Sequence, residues 1–235
     1  MQPWRTIEQT ATPEGALELR QRGQRDFLIT IGGRVLMTSA AHRSEDQLAE
    51  LACAALEKRS ARAPRTARGP IRLLLGGLGM AYTLRAALDR LPASAEVVVV
   101  DLNPSVVAWC RGPLAALTGG ATDDRRVTVQ IADVARVLAA SPPGHYDAIV
   151  LDLYDGPRAG VFDPLYREPA LKRAWAALRT GGVAAIWSEE ADRSFEARLT
   201  AAGFTVERHR GGGRGGRAHF IYVGTRREGW LPSIG

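Results

Sequence analysis

The sequence predicts an α/β fold: a mostly parallel β-sheet with helices on both faces, ending in an antiparallel strand pair. Three observations carry this. Strand-like apolar runs alternate with helical stripes from Ile71 onward, a glycine turn joins the first such run to a helix, and the last two strands are linked with no helix between them.

The glycine turn comes first because it does most to define the fold. Ile71 to Leu75 reads as a buried strand, Gly76, Gly77 and Gly79 follow, Tyr82 to Leu91 has a helical pattern, and Glu96 to Asp101 is a second buried strand ending in a carboxylate. Glycines there permit positive φ and let backbone approach a ligand, and an acid at the end of the next strand can accept both hydrogen bonds from a ribose diol. Together these make half of a nucleotide-binding crevice.

Upstream, Asp26 to Thr38 alternates apolar and polar residues around Gly32-Gly33, which predicts a β-hairpin with a two-residue turn. Ser44-Glu-Asp-Gln47 has the form of a capping box, and Leu48, Leu51, Ala52, Ala55 and Leu56 supply a helical stripe behind it. Ser60 to Pro70 is a polar connector rich in Ala, Arg and Pro. The expected division is a hairpin-and-helix appendage over residues 1–60 and a Rossmann-like catalytic domain over 61–235.

Downstream, helix and strand alternate: a helix from about Pro104, strand Val127 to Ala132, helix, strand Tyr146 to Leu153, helix around Pro169 to Leu178, strand Val183 to Trp187 and a helix near Arg193 to Ala202. Phe204 to Arg208 and Ala218 to Gly224 then pair as antiparallel strands. Such an ending favours the methyltransferase type of Rossmann sheet over the dehydrogenase type. The Gly/Arg run from Arg208 to Arg217 reads as the loop of this last hairpin rather than as an RNA-binding segment.

Composition bounds the rest. At 235 residues and 46% hydrophobic content the chain can bury the core of one α/β domain with a small addition. Cys53 and Cys110 lie apart in helical patterns without metal-ligand spacing, so free buried thiols are expected, and no metal. No apolar leader opens the sequence and no run is long enough to span a membrane, which points to a cytoplasmic protein without membrane partners. The net charge is +6 and nearly all the positive charge is arginine, but the arginines are scattered, which argues against a nucleic-acid footprint.

Four acids stand at three strand ends: Asp101, Asp133, and Asp152 with Asp155 around Tyr154. Ligands of open α/β sheets bind outside the carboxyl ends of the strands, so these side chains are expected to converge on one crevice, with Leu102 and Val134 beside them. Asp133 can accept from an adenine amino group or cap the following helix. Asp152 and Asp155 lie before a Gly-Pro pair that prevents a regular helix, where one carboxylate can take a proton while the other orients a cationic substrate. The Tyr154 ring is either a pocket wall or packing.

Gly77-Leu-Gly-Met-Ala-Tyr-Thr-Leu-Arg85, Val100-Asp-Leu-Asn-Pro104, Arg126 to Asp133 and Tyr146 to Pro157 resemble the successive motifs of spermidine synthases, the polyamine aminopropyltransferases. The resemblance reaches back to the hairpin and Ser39 to Leu48. It implies the class I S-adenosylmethionine-dependent fold, a donor of S-adenosyl sulfonium type, no metal, a small-molecule acceptor and a homodimer. By the same resemblance Asp101 binds ribose, Asp133 adenine, Asp152 deprotonates the attacking amine and Asp155 holds the acceptor.

Two departures change the expectation. Met80 stands where the family has an aspartate that grips the amine of decarboxylated S-adenosylmethionine, and Ala-Ala-His42-Arg-Ser-Glu45 replaces the family's tyrosine-histidine-glutamate segment. The basic net charge also opposes a polycationic acceptor. The leading expectation is therefore methyl transfer from S-adenosylmethionine to a small nucleophile, with arginines near the crevice taking the donor's carboxylate. Aminopropyl transfer from the decarboxylated donor is the alternative, and a non-catalytic nucleotide- or RNA-binding module is a third reading.

Overall fold

The structure, a computed structural model, describes residues 2–62, 69–153, 164–211 and 219–230, without the side chains of residues 60–62. A small antiparallel sheet opens the chain: β1 (Arg5–Thr12), β2 (Gly15–Arg22), β3 (Asp26–Ile31) and β4 (Arg34–Thr38), in that order. The expected hairpin is its second half. Gly32 and Gly33 have φ of +53° and +81°, as a two-residue hairpin turn demands at both central positions. The expectation of a single hairpin is corrected to four strands. Most of β1 is exposed and lacks apolar alternation, so it carries no strand signal.

Helix α1 (Arg43–Arg62) follows. The capping box does not form: Glu45 N–H and Asp46 N–H donate to the His42 carbonyl at 3.1 Å each, and the Ser44 hydroxyl donates to the neighbouring Glu45 carboxylate. The predicted stripe does its expected work, because Leu48, Ala52 and Leu56 are buried. Through it α1 packs on the next helix and on the large sheet.

That sheet has seven strands: β5 (Arg72–Gly76), β6 (Glu96–Asp101), β7 (Val127–Ile131), β8 (Tyr146–Leu151), β9 (Leu178–Ser188), β10 (Phe204–Gly211) and β11 (His219–Arg226). Their spatial order is β10-β11-β9-β8-β5-β6-β7. Only β11 runs against its neighbours. This is the expected class I arrangement.

The helices α2 (Tyr82–Arg90), α3 (Pro104–Arg111), α4 (Val134–Ala140), α5 (Glu168–Ala177) and α6 (Arg193–Ala201) cover the two faces. Strand alternation sorts the core accordingly. Leu73, Leu75, Ala148 and Val150 join α1, α2 and α3 on one face, while Leu74, Ile149 and Leu151 join α4, α5 and α6 on the other.

Both cysteines are free and buried, and burial pushes the thiols up, Cys53 to about 11 and Cys110 to about 12. No helix among the described residues is long and apolar enough to cross a membrane. Of the Gly/Arg run, residues 212–217 lie outside the described residues.

Candidate active site

The turn after β5 shows why glycine is needed. Gly77 has φ +88°, and a Cβ there would lie 2.2 Å from the Asp152 carbonyl oxygen. Its N–H donates to the Val100 carbonyl at 2.9 Å, which ties the turn to β6. Gly79 has φ +52°, and a Cβ would lie 2.9 Å from Met37 Sδ of β4. Backbone is thus held where side chains would collide. Gly76 serves packing instead, since a Cβ there would meet Leu151 and Val134 side chains at 2.9 Å.

In front of this turn lies a cavity of about 550 Å³. The ends of β5, β6 and β7 supply Gly77, Asp101, Leu102 and Asp133, α4 supplies Val134, and the end of β8 supplies Asp152. The small sheet closes the opposite side with Leu17, Ile29, Ile31, Leu36 and Met37. Apolar walls around a few convergent polar groups are the usual make-up of a small-molecule site.

The strand-end acids are held in place by backbone donors. Asp101 accepts from Leu78 N–H at 2.9 Å through Oδ2 and from Asn103 N–H at 2.8 Å through Oδ1, leaving a second lone pair on each oxygen. Burial raises its pKa above the ordinary carboxylate value, against these two hydrogen bonds. Asp133 caps α4, accepting from Ala135 N–H at 2.8 Å, and also lines the cavity. The capping alternative is therefore met, by a side chain that also faces the cavity.

Asp152 differs from these. Its Oδ2 accepts a hydrogen bond from the Thr83 hydroxyl on the first turn of α2. Burial, and after it the negative charge of Glu45, push its carboxyl up to about 7, with the Thr83 bond opposing. Glu45, on the first turn of α1, lines the same cavity and is itself raised by burial, with the Ser44 hydroxyl pulling the other way.

Seven of the expected site residues meet at this cavity: Gly77, Gly79, Asp101, Leu102, Asp133, Val134 and Asp152. Met80 does not. Its side chain is fully buried in the core among Leu78, Leu84 and Cys110, so the expectation that it faces a ligand is corrected. Tyr154 and Asp155 lie outside the described residues. The expected arginines are not found either: among the described residues, the lining holds no lysine or arginine.

Sequence reasoning missed Glu45 and Thr83. Glu45 lay inside an apparent capping box, and Thr83 looked like an ordinary first-turn residue. The lining fits an adenosyl group: the Cβ-free cradle at Gly77 and Gly79 admits close approach, and Asp101 keeps acceptor capacity on both oxygens.

Comparison with known proteins agrees with this geometry. The polyamine aminopropyltransferase of Mycobacterium tuberculosis is 37% identical over 113 residues, which are 47% of this chain and 21% of that protein. Putrescine N-methyltransferase 4 of Nicotiana tabacum is 33% identical over 122 residues, 51% of this chain and 30% of that protein. The matched segment thus spans only a fifth to a third of these curated relatives.

Among solved structures, spermidine synthase of Thermotoga maritima superposes with a TM-score of 0.75 at 18% identity, over 94% of this chain and 73% of that one. A spermidine synthase in complex with the transition-state analogue AdoDATO gives 0.74 at 17% identity, over 94% and 72%. The glycine turn, the strand-end acids and strands β6 to β9 fall within residues 73–195, more than half of the chain, and that stretch matches the spermine/spermidine synthase domain, the family to which this chain belongs.

Proposed function

We propose that the protein is a transferase that moves an aminopropyl group from decarboxylated S-adenosylmethionine to a small amine. One observation carries this reading: Glu45, Asp101, Asp133 and Asp152 line the cavity, and no lysine or arginine joins them among the described residues. A donor carrying a carboxylate would meet four acids and no cation, whereas the decarboxylated donor and an amine acceptor bring only positive charge. The net charge of +6 that counted against a polyamine is a sum over the whole chain, and its sign differs from that of the described cavity lining.

Supporting this over the methyl-transfer expectation are the family and the aminopropyltransferase relatives. Met80, one of the departures on which that expectation rested, is buried and is not part of the cavity lining. Methyl transfer to an amine is the second reading, favoured by the tobacco putrescine N-methyltransferases.

When bound, the donor supplies a sulfonium-activated carbon, which an amine attacks as a neutral thioether leaves. The chain's part is binding, orientation and proton transfer. Asp101 would accept from the ribose hydroxyls and Asp133 from the adenine amino group, each already oriented by backbone N–H donors. Asp152 would take the proton of the attacking nitrogen, and a carboxyl raised to about 7 is suited to proton transfer at neutral pH. Asp155 and Tyr154 are proposed as acceptor contacts.

The test is incubation of the purified protein with putrescine and each donor in turn, with products read by mass spectrometry. Spermidine and methylthioadenosine from the decarboxylated donor are expected. N-methylputrescine and S-adenosylhomocysteine as the only products overturn the aminopropyl reading in favour of the second.

A further inference from the structure

Among the described residues, Glu45 is the one lining carboxylate that does not come from the end of a large-sheet strand. It reaches the cavity from the first turn of α1, on the side closed by the small sheet, where the other lining side chains are apolar. Among the described residues no lysine or arginine pairs with it, and its side chain accepts from the Ser44 hydroxyl. The nearby His42 acts on Glu45 through its charge, but its own bond goes to a different acid, with Nδ1 2.9 Å from Asp46 Oδ2 and its ring stacked on Tyr82.

Asp152, which lines the same cavity, likewise pairs with no lysine or arginine among the described residues, where its carboxylate accepts from the Thr83 hydroxyl. Glu45 and Asp152 line one cavity, and the negative charge of Glu45 acts on Asp152, so their ionised forms together destabilise the ligand-free protein. A ligand that places a positive group between them removes that cost on binding. Such a lining suits a small, multiply donating cation, and a primary alkylammonium offers three N–H donors to it.

We infer that Glu45 is a specificity-determining residue that holds, with Asp152, the primary ammonium group of a substrate. This rests on the proposed function, which offers two sources of that group: the aminopropyl end of the donor and the amine acceptor. Binding of the two can be separated because methylthioadenosine keeps the adenosyl part of the donor and lacks the ammonium.

Calorimetric titration of wild type and Glu45→Gln tests it. Glutamine keeps the size of the side chain and removes its charge, and thermal melting checks that the variant is folded. The first arm compares decarboxylated S-adenosylmethionine with methylthioadenosine; the second titrates putrescine into the protein saturated with methylthioadenosine. A loss of about tenfold or more for the decarboxylated donor, with methylthioadenosine within twofold, assigns the donor ammonium to Glu45. An equivalent loss confined to putrescine assigns the acceptor ammonium.

Equal losses for all three ligands, or no loss for any, overturn the inference. The proposed function fails separately, in the wild-type protein. There, S-adenosylmethionine binding more tightly than the decarboxylated donor sinks the aminopropyl reading, while the putrescine arm still reports on Glu45.

Discussion

Asp147 and Asp152 stand near the two ends of one strand, β8, and are treated in opposite ways. Asp147 is 2% exposed and surrounded by donors: Arg59 and Arg179 both pair with it, and Arg72 N–H donates to its Oδ2 at 2.9 Å. Among the described residues Asp152, at the other end, has one hydroxyl and a second carboxylate for company. The satisfied acid fastens α1 to the sheet, because Arg59 also donates to the Thr180 carbonyl at 3.3 Å. The unsatisfied acid faces the cavity. A buried charge without a partner lowers stability, and such a position is a candidate for function for that reason.

The largest effect is expected from Asp152→Asn. Under the proposed function it should lower turnover by ~10² to 10⁴, because size and much of the hydrogen bonding remain while the base is gone. Wild-type turnover in the variant would mean that the proton leaves by another route. The same substitution should raise the stability of the ligand-free protein at pH 8.

The sign of that gain follows from linkage. Asp152 ionises near its usual 3.8 in the unfolded chain and at about 7 in the folded one, so the folded protein holds an extra proton between these values. Stability falls as pH rises through that window and stays low above it. Melting temperatures of the variant and wild type should therefore coincide near pH 4 and diverge toward pH 8, the variant being higher.

Asp147→Asn should do the reverse: lose stability and leave the chemistry alone. Removing one partner of a buried ion pair costs ~3 to 5 kcal/mol, and because Arg59 and Arg179 are partly exposed we expect about 2 to 4 here. Urea denaturation would measure it, and kcat of the folded variant should stay within about twofold of wild type. A variant as stable as wild type would remove the contrast between the two strand ends.

Next in size is Asp101→Ala. Two hydrogen bonds from a ribose diol to a charged acceptor are worth about 3 kcal/mol together, so methylthioadenosine affinity should fall by ~10². Calorimetry reads this directly. Unchanged affinity in a folded variant would remove the ribose role.

How much of this was visible in the sequence depends on how each residue acts. Buried parallel strands read as continuous apolar runs, so β5, β6 and β8 were plain, and acids at their ends pointed to one crevice. Met80 was misplaced because sequence position on an irregular turn does not give side-chain direction. Gly79 and then Ala81 adopt left-handed φ, +52° and +65°, and between them the Met80 side chain enters the core. Net charge misled for a related reason, since a count over 235 residues hides the sign of one cavity. Glu45 was hidden by a plausible local role, the capping box, that tertiary structure does not use.

The smallest predicted effect sharpens the contrast most finely, because it touches only the partner of Asp152. Thr83 is 2% exposed and its hydroxyl donates to Asp152 Oδ2, which stabilises the ionised carboxylate and so opposes the rise in its pKa. Thr83→Val keeps the shape and removes the donor. A hydrogen bond worth about 1 kcal/mol corresponds to a little under one pH unit, so the acidic limb of kcat/KM against pH should move up by about that much. Thr83→Ser restores the hydroxyl and should bring the limb back. Glu45 is the other titratable group acting on Asp152, and Glu45→Gln should move the same limb downward by removing a negative charge. Opposite displacements in the two variants would place Asp152 as the group that titrates in the profile. If both leave the limb where it is, another group controls it, and Asp152 is not the base.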